Sequence, residues 1–363
     1  MVYRVIGLMS GSSLDGLDIV YTELHENGGQ WSFEILEAEC YPYSEEWNSK
    51  LKNAIHLPAL DYQLLHTEYG AFLGASVNRF ISEKGLDYKV ALVASHGHTT
   101  FHHPEKRMTA QLGDGAALAA VTRGIVVSDL RALDVAFGGQ GAPIVPIGEQ
   151  LLFREFSHFL NVGGIANLSV GSGGKMVAFD VCAANRVLDL LVGKQGKAYY
   201  AGGAIAASGT IHDDLLQSLN ALDYYSKTYP KSLANSFGTD IVFPLVEGAG
   251  LSVADALCTY VEHIALQVRL SLLQTATDTA DSRLLVTGGG ALNTYLMQRL
   301  SAALAPLGVE VIVPDEKIVQ YKEALVMALI GVLRWRQEYN VLPSVTGAER
   351  ASIGGALWVG QEA

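Results

Sequence analysis

The first forty residues alternate short apolar runs with clusters of turn-forming residues. Tyr3–Met9 is an apolar run, Asp18–Leu24 is a second run rich in β-branched residues, and Trp31–Ala38 is a third with partial alternation. Ser, Gly and Asp dominate positions 10–16, between the first two runs. Runs of this length that are bounded by turn residues indicate strands. The opening therefore predicts a β-meander with a glycine-rich tip.

A second meander is predicted in the other half of the chain. Its strands are Phe159–Val162, Asn167–Val170 and Met176–Phe179, and the tight turn Gly163–Ala166 joins the first two. Two such units in one chain indicate an internal structural duplication.

Between and after the meanders, the pattern changes to helical spacing and short buried runs. Helices are predicted from about Asp61, over 114–122, from a capping box at Ser252 and Asp255, over 293–304 and over 323–336, and strands over 90–95, 125–128 and 284–287. The mixture predicts an α/β protein.

Composition narrows the picture by exclusion. The chain has 363 residues, about two domains' worth, and a formal net charge of −12, which argues against a nucleic-acid or anionic-membrane partner. Three cysteines cannot form a disulfide framework. The apolar run Ala324–Leu333 is shorter than the ~20 residues that span a bilayer, and the N-terminus has no signal-peptide pattern. We therefore expect a cytoplasmic protein.

Three glycine turns follow predicted strands, at Gly11–Gly16, Gly163–Gly164 and Gly288–Gly290. None fits the P-loop or the dinucleotide-binding fingerprint. Any one of them is equally well explained as a tight turn, whereas three together favour a bound nucleotide, because glycine lets backbone amides converge on phosphate oxygens. Asp15 and Asp18 could hold Mg²⁺ through water, although an Asx turn is a competing explanation for Asp15.

Histidines cluster at positions 96, 98, 102 and 103, which raises the question of a zinc site. No Cys or acidic residue stands near them at metal-site spacing, and His102-His103-Pro104 is typical of a surface loop. His96 is different, because it follows a buried strand and is placed to reach into a binding site.

Two further residues carry candidate chemistry. Arg131 would suit a carboxylate or phosphate, or would pair with Asp129 or Asp134. Asp180 closes the apolar strand 176–179, so its carboxylate is either buried at a cost or acts as a base. The following residues, 182–185, are small enough to leave room for a substrate.

The chain resembles the anhydro-N-acetylmuramic acid kinases of the actin/Hsp70/sugar-kinase superfamily. The motifs that carry the resemblance follow the family's order over nearly the whole chain: Gly7–Asp18, Ser95–Thr99, Gln111–Asp114, Asp129–Arg131, Gly138–Pro143, Leu160–Asn167, Phe179–Asp180, Pro230–Ser232, Thr287–Asn293 and Ser344–Ala348. The resemblance implies an α/β fold with two RNase H-like domains, duplicated as in actin-like ATPases, around a central nucleotide cleft. We expect residues 1–130, joined by 345–363, to form one domain and 131–344 the other.

The resemblance also implies a reaction and its residues. Water opens the 1,6-anhydro bridge while ATP phosphorylates O6, which gives N-acetylmuramic acid 6-phosphate in cell-wall sugar recycling. Asp180 would be the base, and His96, Thr99 and Arg131 would line the sugar. Mg²⁺ would bind at Asp15 through water. The implied ATP-binding residues are Gly11, Ser12, Ser13, Leu14, Asp15, Gly16, Asp18, Gly163, Gly164, Gly288, Gly289, Gly290 and Asn293.

Several positions on the sugar side differ from the family pattern. Cys182–Ala184 replaces Gly-Pro-Gly, His98 replaces a glutamine, Glu149 replaces a histidine, Tyr200–Gly203 lacks acids, and Ala234–Ser236 replaces Gly-Arg-Glu. The alternative to the kinase is therefore a nucleotide-binding relative whose substrate has changed or whose catalysis has lapsed. The expected partner is a small sugar, and neither a nucleic acid nor a membrane is expected. A homodimer is compatible with the sequence.

Overall fold

The computed structural model describes residues 1–11, 13–172, 175–193, 202–234, 236–275 and 282–361. Ser12 of the first glycine turn lies outside the described residues, as do Tyr200, Ala201 and Asn235 of the segments that differ from the family pattern.

The strands, in chain order, are β1 Val2–Ser10, β2 Gly16–Asn27, β3 Gln30–Pro42, β4 Leu92–Ser95, β5 His98–His103, β6 Met108–Leu112, β7 Ile125–Ser128, β8 His158–Val162, β9 Ile165–Ser172, β10 Lys175–Ala183, β11 Ser282–Thr287, β12 Val309–Ile312 and β13 Ala356–Val359. The predicted meander strands are confirmed at β1–β3 and β8–β10, each longer than the apolar run that indicated it.

The helices are α1 Glu45–Asn53, α2 Ala59–Lys84, α3 Gly115–Thr122, α4 Ala132–Ala136, α5 Pro146–Leu152, α6 Asn185–Gly193, α7 Ala204–Ala207, α8 Asp213–Asn220, α9 Asp223–Ser226, α10 Phe243–Gly248, α11 Val253–Thr275, α12 Thr294–Leu304, α13 Glu316–Trp335 and α14 Pro343–Thr346. A π-helical turn, Phe237–Val242, precedes α10. The capping box at the start of α11 forms as predicted: the Asp255 N–H donates to Ser252 Oγ at 3.1 Å, and that hydroxyl donates to the Asp255 carboxylate at 2.7 Å.

The chain divides into two compact units, Met1–Phe153 with Tyr321–Ala363 and Arg154–Gln320. Residues 131–153 and 321–344 thus belong to the first unit, although the sequence predicts them in the second. The reason is packing: α13 lies so close to β1 that a side chain at Gly7 would run into the backbone of Ala324. Lys322 of the same helix also pairs with Glu149 of α5.

The first unit is built on a six-stranded sheet in the order β13-β7-β4-β1-β2-β3. β1, β2 and β3 form the antiparallel meander, and β4 and β7 extend it in parallel with β1. Apolar residues of the sheet and of α2, among them Ile6, Leu8, Tyr69 and Phe80, are buried in one cluster.

The second unit has a five-stranded sheet in the order β10-β9-β8-β11-β12. β8, β9 and β10 form its antiparallel meander, and β11 and β12 run parallel to β8. Each unit therefore has a meander on one side of its first strand and parallel strands on the other, which is the RNase H-like order. The predicted α/β class and the duplication are confirmed. Among the described residues, no helix is long and apolar enough to cross a bilayer.

Candidate active site

Asp180 lies within β10, directly opposite Asn167 of β9. Both of its carboxylate oxygens accept hydrogen bonds: the Asn167 amide donates to Oδ1, and the Leu233 N–H donates to Oδ2 at 2.7 Å. The Tyr224 hydroxyl donates to the Asp180 carbonyl at 2.6 Å. These contacts fix the orientation of the carboxylate and leave it lone pairs for a further donor.

The environment of Asp180 tunes its acidity in two directions. Burial raises the pKa of this carboxyl, whereas the Leu233 N–H and the Asn167 amide lower it by stabilising the charged form. A half-buried carboxyl with a raised pKa is suited to take a proton from water when it is ionised.

The small residues that follow Asp180 do not line an open space. β10 continues to Ala183, and Cys182, Ala183 and Ala184 are fully buried in the core of the second unit. The register of β10 against β9 shifts between Asp180 and Cys182. The prediction that they leave room for a substrate is therefore wrong, because their side chains are buried in the core.

The Gly163–Gly164 turn joins β8 to β9 and is held against the start of α6. The Ala184 N–H donates to the Gly164 carbonyl at 2.8 Å, and the Asn185 N–H donates to the Gly163 carbonyl at 3.0 Å. A Cβ at either glycine would meet no heavy atom closer than 3.6 Å. Packing therefore does not require glycine here, which favours close approach of a ligand over a purely structural turn.

The third glycine turn, Gly288–Gly290, contains glycines that packing requires and one that it does not. Gly288 has φ +80°, and a Cβ there would lie 2.5 Å from Asn161 Oδ1, while a Cβ at Gly290 would collide with Val162. Gly289 is open, with nothing closer than 3.7 Å. Gly288 and Gly290 are thus required by packing, whereas the space next to Gly289 is open.

Asn293 follows this turn and caps α12. Its Oδ1 accepts from the Leu296 N–H at 3.0 Å. Its Nδ2 is buried and has no hydrogen-bond partner among the described residues. Capping explains the oxygen, whereas the amide N–H groups of Asn293 stay available to a hydrogen-bond acceptor.

In the first unit, the turn between β1 and β2 carries Leu14 at φ +61°. A Cβ at Gly11 would meet nothing closer than 3.5 Å, whereas one at Gly16 would lie 2.6 Å from the Tyr41 carbonyl oxygen. Ser13 is exposed at the tip. Gly11 is therefore open to a ligand, and Gly16 is required by strand packing.

Two aspartates flank this turn. Asp15 is exposed, and Asp18 is half-buried on β2. Burial raises the pKa of Asp18 to about 6, a hydrogen bond from Cys40 opposes the rise, and the nearby charges of Glu323 and Asp15 add to it. Among the described residues, no group of three or more His, Cys, Asp or Glu side chains could hold a metal ion. The carboxylates fit Mg²⁺ that keeps its waters and is bound mainly by phosphates.

His96 and Arg131 lie close to each other in the first unit. The charge of Arg131 adds to burial in lowering the pKa of His96 to about 3, so the imidazole is neutral. His96 Nδ1 lies 2.9 Å from the Gly97 carbonyl, which makes Nδ1 the donor and Nε2 an acceptor. His96 Nε2 and Arg131 Nε are both buried without a hydrogen-bond partner in the described part of the chain. An orphan acceptor beside an orphan donor suits a polar ligand.

Arg131 keeps its charge at neutral pH, since burial lowers its pKa only to about 10. Within the described residues it forms no ion pair with Asp129 or Asp134, which accept from Ser128 and Thr346. Pairing with Asp129 or Asp134 is thereby disfavoured, and the internal carboxylate whose charge acts on Arg131 is Glu323. Thr99, the third predicted sugar residue, lies on β5 and is half-buried.

The other histidines of the cluster at positions 96–103 have local partners. His98 Nδ1 lies 3.0 Å from Ser10 Oγ, and the Tyr43 hydroxyl donates to that same oxygen at 2.8 Å. His102 Nδ1 lies 3.1 Å from Thr109 Oγ1. The surface-loop prediction for residues 102–104 is wrong at His102 and His103, which end β5 and pair with β6.

Sequence reasoning missed a buried ionic cluster on α13. Lys322 Nζ lies 2.7 Å from Glu149 Oε1, with both side chains at most 3% exposed. The charges of Lys322 and Arg131 act against the burial that raises the pKa of Glu323. The one signal in the sequence was a Lys-Glu pair directly before the apolar run from Ala324.

A model of the anhydro-N-acetylmuramic acid kinase family matches residues 3–360. The chain belongs to this family. A relative from Gloeobacter violaceus named anhydro-N-acetylmuramic acid kinase is 33% identical over 95% of this chain and 96% of its own length. A relative of the same name from Rhodospirillum rubrum is 34% identical over 97% of this chain and 93% of its own.

Among solved structures, the chain is similar to component A of (R)-2-hydroxyglutaryl-CoA dehydratase from Acidaminococcus fermentans, with 14% identity, a TM-score of 0.48, and coverage of 91% of this chain and 97% of that one. The fold assignment rests on the strand order of the two sheets. Membership of the kinase family indicates which reaction the site catalyses.

Proposed function

We propose that this protein is an ATP-dependent kinase that opens the 1,6-anhydro ring of anhydro-N-acetylmuramic acid with water and phosphorylates O6. The product is N-acetylmuramic acid 6-phosphate, and the setting is the recycling of cell-wall sugar. The observation that carries the proposal is the carboxylate of Asp180, which is half-buried, is oriented by Asn167 and Leu233, and keeps lone pairs that can accept a proton.

Asp180 acts as the general base in this scheme. As the water oxygen bonds to the anomeric carbon, its proton passes to the carboxylate, and the bond between that carbon and O6 breaks. O6 takes the γ-phosphoryl group of ATP, and ADP leaves. Because both oxygens of Asp180 are held by donors, the base does not need to reorient during the step.

ATP is proposed to bind at the glycine turns and the residues next to them. The open glycines Gly11, Gly163, Gly164 and Gly289 allow the phosphates to approach the backbone. The unpartnered amide of Asn293 serves the nucleoside. The other proposed ATP residues are Ser12, Ser13, Leu14, Asp15, Gly16, Asp18, Gly288 and Gly290.

Mg²⁺ is proposed to accompany ATP and to offset the charge of its phosphates. Asp15 would hold it through water, and the half-buried Asp18 would add negative charge at the same turn.

The sugar is proposed to contact His96, Thr99 and Arg131. The neutral His96 offers Nε2 as an acceptor to a sugar hydroxyl, and Arg131 offers its planar fork to an oxygen of the acid. Thr99 Oγ1 is weakly engaged, since the Gln111 amide approaches it only to 3.4 Å.

Asp180→Asn tests the role of the base. The amide keeps the shape but cannot take the proton, so sugar-dependent ADP release should fall by at least ~10²-fold. Saturating Mg·ATP, at ~100 Kd, should still stabilise the variant by roughly 2.7 kcal/mol. Asp240→Asn, which changes an exposed carboxylate of the same unit, is the matched control and should turn over normally. Normal turnover of Asp180→Asn would contradict the assignment.

The proposed function also implies where the enzyme works and which partners it has. We place it in the cytoplasm, where ATP is available, and without a nucleic-acid partner, in keeping with the net charge of −12. A homodimer is compatible with this function, and sedimentation equilibrium measures it.

A further inference from the structure

Arg186 lies at a position where an arginine does not stabilise its helix. It is the second residue of α6, which begins at Asn185. The N-terminus of a helix carries partial positive charge, so a cation in the first turn is unfavourable. The residue must therefore be accounted for by what it contacts.

The guanidinium of Arg186 contains a buried donor that the protein does not use. Its Nε is buried and has no hydrogen-bond partner among the residues that the structure describes. Buried N–H groups nearly always have a partner, so an unused one marks a place where a ligand acceptor belongs. An arginine stays charged at any physiological pH, so an anionic acceptor would make the stronger, charge-assisted bond.

The side chain of Arg186 runs along the open glycine turn. A Cβ at Gly164 would lie 3.6 Å from Arg186 Nε and 3.9 Å from its Nη2. The hydrogen bonds from the Ala184 and Asn185 N–H groups to this turn hold it in a fixed position relative to the start of α6. On its other side, the aliphatic part of Arg186 packs near Gly238, with Cδ 3.8 Å from where a Cβ would be. The arginine is thus placed beside the turn rather than extended into solvent.

We propose that Arg186 binds a phosphate group of ATP at the Gly163–Gly164 turn. The inference rests on the proposed function, because it takes ATP as the nucleotide. The guanidinium fork matches two oxygens of one phosphate, and the backbone of the glycine turn leaves room for that group to approach. In a chain of net charge −12, a positive group at this point also favours the triphosphate over an uncharged nucleoside.

Calorimetric binding of ATP, ADP and adenosine to the full chain tests the proposal. Arg186→Ala should weaken ATP and ADP binding by ~10- to 100-fold, the effect of losing a charge-assisted hydrogen bond, and should leave adenosine binding unchanged. Arg186→Lys should lose less, because it keeps the charge but not the fork. Arg283→Ala is the control: this arginine of the same unit lies on the surface, 3.6 Å from Glu310, and its loss should not change ATP binding.

Three results would overturn the proposal. Wild-type ATP affinity in Arg186→Ala with an unchanged melting temperature would show that the arginine does not bind phosphate. A raised KM for the sugar with normal ATP affinity would assign Arg186 to the carboxylate of the sugar acid instead. Equal weakening of adenosine and ATP would show a structural role, and Arg186→Gln, which retains a polar side chain of similar length, provides the same comparison if the alanine variant does not fold. Failure of the proposed function reads out differently, as wild-type protein that binds ATP but does not phosphorylate the sugar.

Discussion

Asn167→Ala should shift the pH dependence of catalysis without unfolding the protein. The Asn167 amide donates to one oxygen of Asp180, and the Leu233 N–H on the other oxygen remains in the variant. A hydrogen bond to a charged group contributes about 1.5–3 kcal/mol, and one pKa unit corresponds to about 1.36 kcal/mol. The donor stabilises the ionised carboxylate, so its removal should raise the pKa of Asp180 by roughly 1–2 units. Because the base must be ionised, the acid limb of kcat/KM should move to higher pH by that amount.

The assay is sugar-dependent ADP release from pH 5 to 9 at saturating ATP. The other groups that interact electrostatically with Asp180, Cys182 and Tyr224, have pKa values that burial raises, so both stay neutral over this range. Lys231 carries the nearby positive charge, and burial lowers its pKa below the ordinary value. Asn220→Ala is the control, because Asn220 bonds His263 and Gln267 in the same unit. An unshifted acid limb in a folded Asn167→Ala variant would refute the reasoning.

Three further predictions test the packing arguments. Glu149→Gln should lower the free energy of unfolding, measured in urea, by about 3–5 kcal/mol, because it leaves the buried Lys322 without its carboxylate. The double variant Glu149→Leu with Lys322→Met should lose less. An unchanged urea midpoint of Glu149→Gln would contradict this prediction. Gly16→Ala should lower the melting temperature, since its Cβ would lie 2.6 Å from a backbone oxygen, whereas Gly289→Ala should keep it and weaken ATP binding in calorimetry; the reverse pattern would contradict the sorting of the glycines. The Cys182 thiol, fully buried and with a raised pKa, should react with a disulfide reagent at pH 8 only after unfolding in guanidinium, and rapid labelling of the native protein would contradict its burial.

The two meanders could be predicted because their signal is local. Apolar runs such as Tyr3–Met9 and Phe159–Val162 are bounded by glycine, and each element pairs with its neighbour in sequence. The glycine turns could be located for the same reason. What the sequence could not separate is which glycines packing requires, because that depends on atoms such as the Tyr41 carbonyl oxygen that belong to another strand.

The parts that were missed depend on contacts distant in sequence. β13 pairs with β7, and Ala356 lies opposite Ser128, so no local pattern marks the strand. Glu149 and Lys322 are 173 residues apart. Cys182 follows a register shift in β10 and is fully buried, and such a shift between two strands leaves no mark in the local sequence. The compact units divide after Phe153 and before Tyr321 rather than at 130 and 344, in keeping with the packing of α5 and α13.

The most direct test of the account is product analysis with purified protein, Mg·ATP and 1,6-anhydro-N-acetylmuramic acid. Mass spectrometry and phosphorus NMR should find one N-acetylmuramic acid 6-phosphate for each ADP, with no ADP released when the sugar is omitted. ATP consumed without a phosphorylated sugar, or no turnover by protein that demonstrably binds ATP, would contradict the claim that Asp180 serves a water-dependent sugar kinase.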